Sequence, residues 1–80
     1  MDRKEIEQQI KEALADRLEI NLNKITLSSR LIDDLGMDSF KAVEIVFEAK
    51  ERLGIEINNN EMAKIITVED IINLLATKKC

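Results

Sequence analysis

Few side chains in these 80 residues can do covalent chemistry. There is no histidine, and the single cysteine, Cys80, is the last residue. A catalytic nucleophile needs a base beside it, and zinc needs clustered thiolate or imidazole donors, so neither chemistry has its residues here. Asp33, Asp34 and Asp38 come closest to an oxygen-ligand set for calcium. They lack the spacing of a calcium loop and its closing bidentate glutamate. No catalytic residue and no metal ligand is therefore expected. Cys80 reads either as a reactive or lipidated thiol or as a plain tail residue; no C-terminal prenylation box is present, which favours the tail residue. What remains is a carboxylate followed by a primary hydroxyl, Asp38-Ser39, at the head of an apolar-periodic segment.

The apolar spacing gives the elements that must hold that pair. Ile6, Ile10, Ala13, Leu14 and Leu18 recur at three and four residues, one face of a helix over about 2–18 that Asp2 can cap. Ile20, Leu22, Ile25, Leu27, Leu31, Ile32 and Leu35 then lie scattered in a segment rich in Asn, Ser and Thr that Gly36 ends. The alternation from Glu19 to Asn23 suits a strand, but one short strand has nothing to pair with. The segment is read as a long loop docked on the core, a kind that is usually functional. Asp38 or Ser39 supplies the N-cap of a second helix, 39–53, and Gly54 its stop. Asn58 and Glu61 form a capping-box signal for a short helix over 59–65, and Thr67 opens a last one over 67–78 carrying Val68, Ile71, Ile72, Leu74 and Leu75. The expected fold is all-α: a small four-helix bundle with a long first loop and a short third helix, one domain over 1–80.

Composition narrows the function. With 45% hydrophobic and 35% charged residues the chain is globular rather than disordered. A chain this short buries only about 60% of its unfolded surface and has no room for a deep enzyme cleft with its own supporting shell. No apolar run approaches the ~20 residues of a membrane span, and the charged first residues are no targeting segment, so a free-standing chain beginning at Met1 is the simplest reading. A lone cysteine points to a reducing, cytoplasmic setting. The net charge of −4 gives no general attraction to nucleic acid or to an anionic membrane and makes basic protein surfaces the natural partners. The charge is uneven. Residues 1–32 are neutral in sum, 33–61 carry eight acids against three bases, and 62–80 are slightly basic.

In projection at ~100° per residue, the second helix gathers Ile45, Ala49, Ala42, Leu53, Val46 and Val43 on one broad arc, the expected core face. Glu51, Glu44, Glu48, Lys41 and Arg52 fall opposite, and both phenylalanines, Phe40 and Phe47, lie at the seam. The rings either widen the core face or form a semi-exposed contact rimmed by carboxylates for a partner. The rest of the core is aliphatic, which suits either a plain packed interior or one that opens around an aliphatic guest.

The run Asp33-Asp34-Leu35-Gly36-Met37-Asp38-Ser39-Phe40, followed by Ala42-Val43-Glu44-Ile45-Val46, resembles the acyl carrier protein signature, and the helix pattern, long first loop and length match it across nearly the whole chain. The resemblance implies a carrier that performs no catalysis. Ser39 would bear 4′-phosphopantetheine through a phosphodiester, with Asp38 assisting its transfer. A helix N-terminus suits the phosphate, because it offers free N–H groups and the positive end of the dipole. The expected partners are a phosphopantetheinyl transferase and acyl-transferring and condensing enzymes of fatty acid, lipid or polyketide-type biosynthesis, which dock basic patches on a monomeric carrier. Phe40, Val43, Glu44, Phe47, Glu48 and Glu51 match the family's contact positions. Val43, Val46, Ile57, Met62 and Ile65 match positions that line an acyl cavity.

The chain departs from the common fatty-acid pattern. Phe40 replaces the usual Leu, Asn58 stands where a proline often precedes the third helix, and Lys41, Lys50 and Arg52 lie where acids are commonest. A specialised carrier with a dedicated partner is the implied reading, and exchanging Lys41 and Lys50 for Glu is expected to improve handling by general synthase enzymes. A D-alanyl or peptidyl carrier of the same fold is the near alternative. A small helical interaction module without a prosthetic group is the alternative of another class, and it would tolerate Ser39→Ala.

Overall fold

The structure, a computed structural model, describes residues 2–79; Cys80, read above as a tail residue, lies outside them. Four α-helices lie among the described residues: α1 (Arg3–Leu18), α2 (Ser39–Leu53), α3 (Asn59–Ala63) and α4 (Val68–Lys79). Each start has a local chemical cause. The Asp2 carboxylate accepts from Glu5 N at 2.9 Å, and Asn58 and Glu61 form the reciprocal capping box. At α4, Thr67 Oγ1 accepts from Asp70 N while Asp70 Oδ2 accepts from Thr67 N and Ile66 N. Those two backbone donors, with the Thr67 hydroxyl, hold the Asp70 carboxyl below its ordinary pKa. Helix α2 stops at Gly54, whose φ of +69° is left-handed and closes on the carbonyls of Ala49 and Lys50. Helix α3 is two residues shorter than its sequence pattern suggests, because Lys64 and Ile65 turn back on Glu61 and Met62 in tighter, three-residue hydrogen bonds.

The core is aliphatic and drawn from α1, α2, α4 and the segments that join the helices. Ile6, Ile10 and Leu14 of α1 meet Ile45, Ala49 and Leu53 of α2 and Val68, Ile71, Ile72 and Leu75 of α4. Ile55 and Ile57, between α2 and α3, close one side. The loop from Glu19 to Asp38 docks as expected. Ile25, Leu31 and Met37 are buried, and a single helical turn over Leu22–Lys24 occupies the place where the alternating pattern resembled a strand. Backbone bonds tie the loop to the start of α4: Leu31 N to Ile66 O, Val68 N to Ser29 O and Glu69 N to Leu27 O, all 2.9–3.0 Å. These bonds account for the buried peptide groups that an undecorated loop would leave unpaired.

One expectation is corrected. Val43 was placed on the core face of α2, but it is 68% exposed. Its projected angle lies at the very edge of the apolar arc, and the packed face is the narrower set Ile45, Ala49 and Leu53, flanked by the half-buried Ala42 and Val46. Phe40 and Phe47 are also open, at 70% and 54%, so the rings do not widen the core.

Candidate functional site

The tail of the long loop delivers the Asp38-Ser39 pair. Asp34 folds back on Arg30, taking its backbone N–H at 2.8 Å and lying 3.4 Å from its guanidinium. The backbone N–H first and the guanidinium second hold the Asp34 carboxyl below its ordinary pKa. Gly36, at φ +74°, turns the chain outward in a conformation that side chains disfavour. Met37 then plugs into the core, with its N–H on Leu31 O at 2.9 Å, and the next residue begins the helix. Burying Met37 fixes the direction in which Asp38 and Ser39 leave the surface.

The roles of the pair are separate. Asp38 is the N-cap: it is extended, and its Oδ1 accepts from Lys41 N at 2.8 Å. Ser39 is the first helical residue, is exposed, and its hydroxyl takes no part in the cap. Because Asp38 satisfies only the Lys41 N–H, the N–H groups of Ser39 and Phe40 have no intrahelical acceptor, and they stand beside the Ser39 hydroxyl at the positive end of α2. That is a cradle for a phosphodiester on Ser39 Oγ. The chain's other serines fit less well. Ser29 is buried with its Oγ accepting from Thr26 N, and Ser28 sits in the loop with its hydroxyl 3.3 Å from Thr26 Oγ1.

Beside Ser39 a surface cleft of about 350 Å³ runs between α2 and α3, lined by Ala42, Val43, Val46 and Met62. Val43 and Val46 also line a second cleft of about 530 Å³ that continues along Phe47 and Ile57 to Lys50 and Lys78. The two clefts share a wall and make one apolar route away from the hydroxyl. Four of the five sequence-derived cavity positions, Val43, Val46, Ile57 and Met62, lie on this route. Ile65 lies elsewhere, in a separate small cleft with Arg30 and Ile32.

The proposed contact positions divide in two. Phe40, Val43, Phe47 and Glu51 are open to solvent on the outer face of α2. Glu44 and Glu48 instead face α1. Arg17 reaches both, with Nη1 on Glu44 Oε2 at 2.9 Å and Nη2 on Glu48 Oε2 at 2.8 Å. Arg52 Nε holds the other Glu48 oxygen at 2.8 Å, and its Nη1 bonds Gln9 Oε1 at 3.1 Å. Hydrogen bonds from Arg17 and then Arg52 keep the Glu48 carboxyl below its ordinary pKa against the opposing effect of burial, and Glu48 in turn raises that of Arg17. Sequence reasoning missed Arg17 altogether. The available signal was the Glu44/Glu48 spacing, which puts two carboxylates on one helix face, but only the packing of α1 on α2 says which arginine meets them.

Comparison with known proteins agrees with this geometry. Residues 8–75 match the family described as "Phosphopantetheine attachment site". The chain is similar to an acyl carrier protein of Rubrobacter xylanophilus, with 41% identity over 73 residues, 91% of this chain and 90% of that one. It is also similar to an acyl carrier protein of Wolinella succinogenes, with 37% identity over 70 residues, 88% and 92% of the two. A family match over most of the length, relatives at this identity and a helix-terminal serine beside an apolar route lead to one conclusion: the chain belongs to the acyl carrier protein family, non-enzymatic carriers of acyl groups on a covalently attached 4′-phosphopantetheine.

Proposed function

We propose that Ser39 is the attachment residue and that the 80 residues act as one monomeric carrier domain in the cytoplasm, presenting acyl intermediates of fatty-acid or polyketide-type biosynthesis. The observation that carries this reading is the division of labour at α2: Asp38 takes the cap, which leaves the exposed Ser39 hydroxyl unused. In the loading reaction Ser39 Oγ attacks the β-phosphorus of coenzyme A. The new Oγ–P bond forms, the bond between the two phosphorus centres' bridging oxygen and that phosphorus breaks, and 3′,5′-ADP leaves. The transferase takes the hydroxyl proton. Asp38, adjacent and open to solvent, is positioned to help hold the transferase's metal-bound substrate. The prosthetic arm then supplies the thiol on which cargo is held as a thioester.

The apolar route past Val43, Val46, Met62 and Ile57 supports an aliphatic cargo that folds back against α2 and α3. Phosphopantetheinyl transferase and acyl-transferring and condensing enzymes approach the outer face of α2, next to Ser39. Loading is tested by incubating the protein with a phosphopantetheinyl transferase and coenzyme A and reading the intact mass. One phosphopantetheine is expected on the wild type and none on Ser39→Ala. Gain of the same mass by Ser39→Ala would refute the assignment.

A further inference from the structure

The larger cleft along α2 has apolar walls and a charged end. Val43 and Val46, shared with the cleft beside Ser39, are followed by Phe47 and Ile57. The end is built from Lys50, Glu56, Glu61 and Lys78, which come from α2, the joint after it, α3 and α4. Lys50 lies about 16 Å down the axis of α2 from Ser39, at ~1.5 Å per residue. The four charges stand in two ion pairs, Lys50 Nζ on Glu56 Oε1 at 3.1 Å and Lys78 Nζ on Glu61 Oε1 at 2.8 Å. Glu56 and Lys78 also wall a third cleft together, so the two pairs are neighbours. The two carboxylates are held very differently. Glu61 Oε1 also accepts from Asn58 N at 3.0 Å as part of the α3 capping box, and Lys78 first and Asn58 N second keep that carboxyl below its ordinary pKa. Glu56 has no such anchor among the hydrogen bonds of the described residues. Its side chain is 76% exposed, and its pair with Lys50 is a surface pair that exchanges easily.

Such an end is a poor seat for a plain alkyl tail. A chain long enough to cover the apolar walls would set its terminal methyl against two ammonium groups and two carboxylates, stripping water from them with no hydrogen bond in return. A carboxylate at the tip reverses that balance. It takes the place of the loosely held Glu56 on Lys50, with Lys78 beside it, and each ammonium carries three donors to share. Glu61 stays on its cap. With Glu56 turned out to solvent, Lys50 and Lys78 face Glu61 and the cargo, and the end of the cleft remains neutral. We propose, on the carrier reading above, that this cleft selects acyl cargo with a carboxylate at its far end, the half-thioester of a dicarboxylic acid, and that Lys50 and Lys78 are the specificity-determining residues. From Val43 to Lys50 is about 10 Å of helix axis, which an extended chain of about eight carbons covers at ~1.3 Å of advance per ~1.5 Å tetrahedral bond.

The test compares two cargoes of equal length. A broad-specificity phosphopantetheinyl transferase loads the protein from octanoyl- or octanedioyl-coenzyme A, and intact mass verifies each load. Thermal midpoints are then read near neutral pH against the protein with a bare arm. Cargo that docks on the folded state and not on the unfolded chain raises the midpoint. Octanedioyl is expected to raise it by at least about 4 °C more than octanoyl. The monomethyl ester of the octanedioyl cargo, similar in length but uncharged at the tip, is expected to behave as octanoyl does. In Lys50→Met/Lys78→Met both ammonium groups are gone, and octanedioyl loses its advantage. Equal midpoints for the two cargoes on the wild type, a higher midpoint with octanoyl, an ester that stabilises as well as the acid, or an advantage that survives in the double variant would each overturn the proposal. The first three outcomes are read on the wild type and stand whatever the stability of the double variant. Failure of the carrier reading is distinct: no mass gain from any coenzyme A thioester, or the same gain by Ser39→Ala.

Discussion

Asp38→Ala and Ser39→Ala change neighbouring residues at one helix end, and the structure gives them opposite consequences. Removing the Asp38 carboxylate deletes the 2.8 Å bond to Lys41 N and leaves that donor to water. Loss of an N-cap costs about 0.5–2 kcal/mol; because this end of α2 is exposed and water can replace the bond, about 1 kcal/mol is expected. In a chain of this length that lowers the thermal midpoint by roughly 4–8 °C. Ser39 makes no capping bond, and alanine is at least as good a helix former, so Ser39→Ala should stay within about 0.5 kcal/mol of the wild type. Thermal unfolding followed by far-ultraviolet circular dichroism separates the two, and intact mass after transferase treatment supplies the second axis. Asp38→Ala is then the less stable protein that still loads, though more slowly, and Ser39→Ala the stable protein that does not load. If Ser39→Ala were destabilised as much as Asp38→Ala, Ser39 would be the cap and the reasoning that frees its hydroxyl would fail.

Other variants probe the packing that presents the site. Glu48→Gln keeps one acceptor but loses the charge shared by Arg17 and Arg52, and should cost about 1 kcal/mol in chemical denaturation, with an unchanged m-value. Ile45→Ala empties a fully buried position where α2 meets α1, and a loss of about 2–5 kcal/mol should remove a large share of the stability of so small a chain, read as a lowered denaturation midpoint. Acid titration tests the depressed carboxylates. Glu48, Asp34, Glu61 and Asp70 all have folded-state pKa values below their ordinary ones, so the stability they contribute is whole above the ordinary range near about pH 4–5 and is lost as pH falls through it toward their folded values. Denaturation midpoints should therefore be flat from about pH 7 to about pH 5.5 and drop below about pH 4.5; a midpoint that rises on acidification would contradict the ion-pair assignments.

The helices, their caps and the docked loop were legible because their causes are local. Asp2, Asp38, Asn58 and Glu61 act within three residues of their partners, and the three-to-four spacing of Ile6, Ile10 and Leu14 states which face is buried. The position of Ser39 was legible for the same reason. Val43 was misplaced because a projection fixes an angle but not how wide a strip the neighbouring helices cover. The charge pattern misled for a different reason. A running sum over Asp33 to Glu61 counts only the bases in that stretch, whereas Arg30 lies just before it and the fold brings in Arg17 from α1 and Lys78 from α4. Carboxylates that looked like a recognition stripe are thereby used to hold α1 against α2. The three bases noticed in sequence, Lys41, Lys50 and Arg52, are each tied to a glutamate and were only part of the neutralisation.

The central claim is that one hydroxyl of three serines carries the arm, and the most direct test is to locate the group. After treatment with a phosphopantetheinyl transferase and coenzyme A, the protein is digested and the modified peptide is sequenced by tandem mass spectrometry. The geometry predicts the whole added mass on Ser39, with Ser28 and Ser29 unmodified. The group found on Ser28, the other exposed serine, would contradict the account, because neither the helix-terminal cradle nor the apolar route between α2 and α3 would then serve the arm.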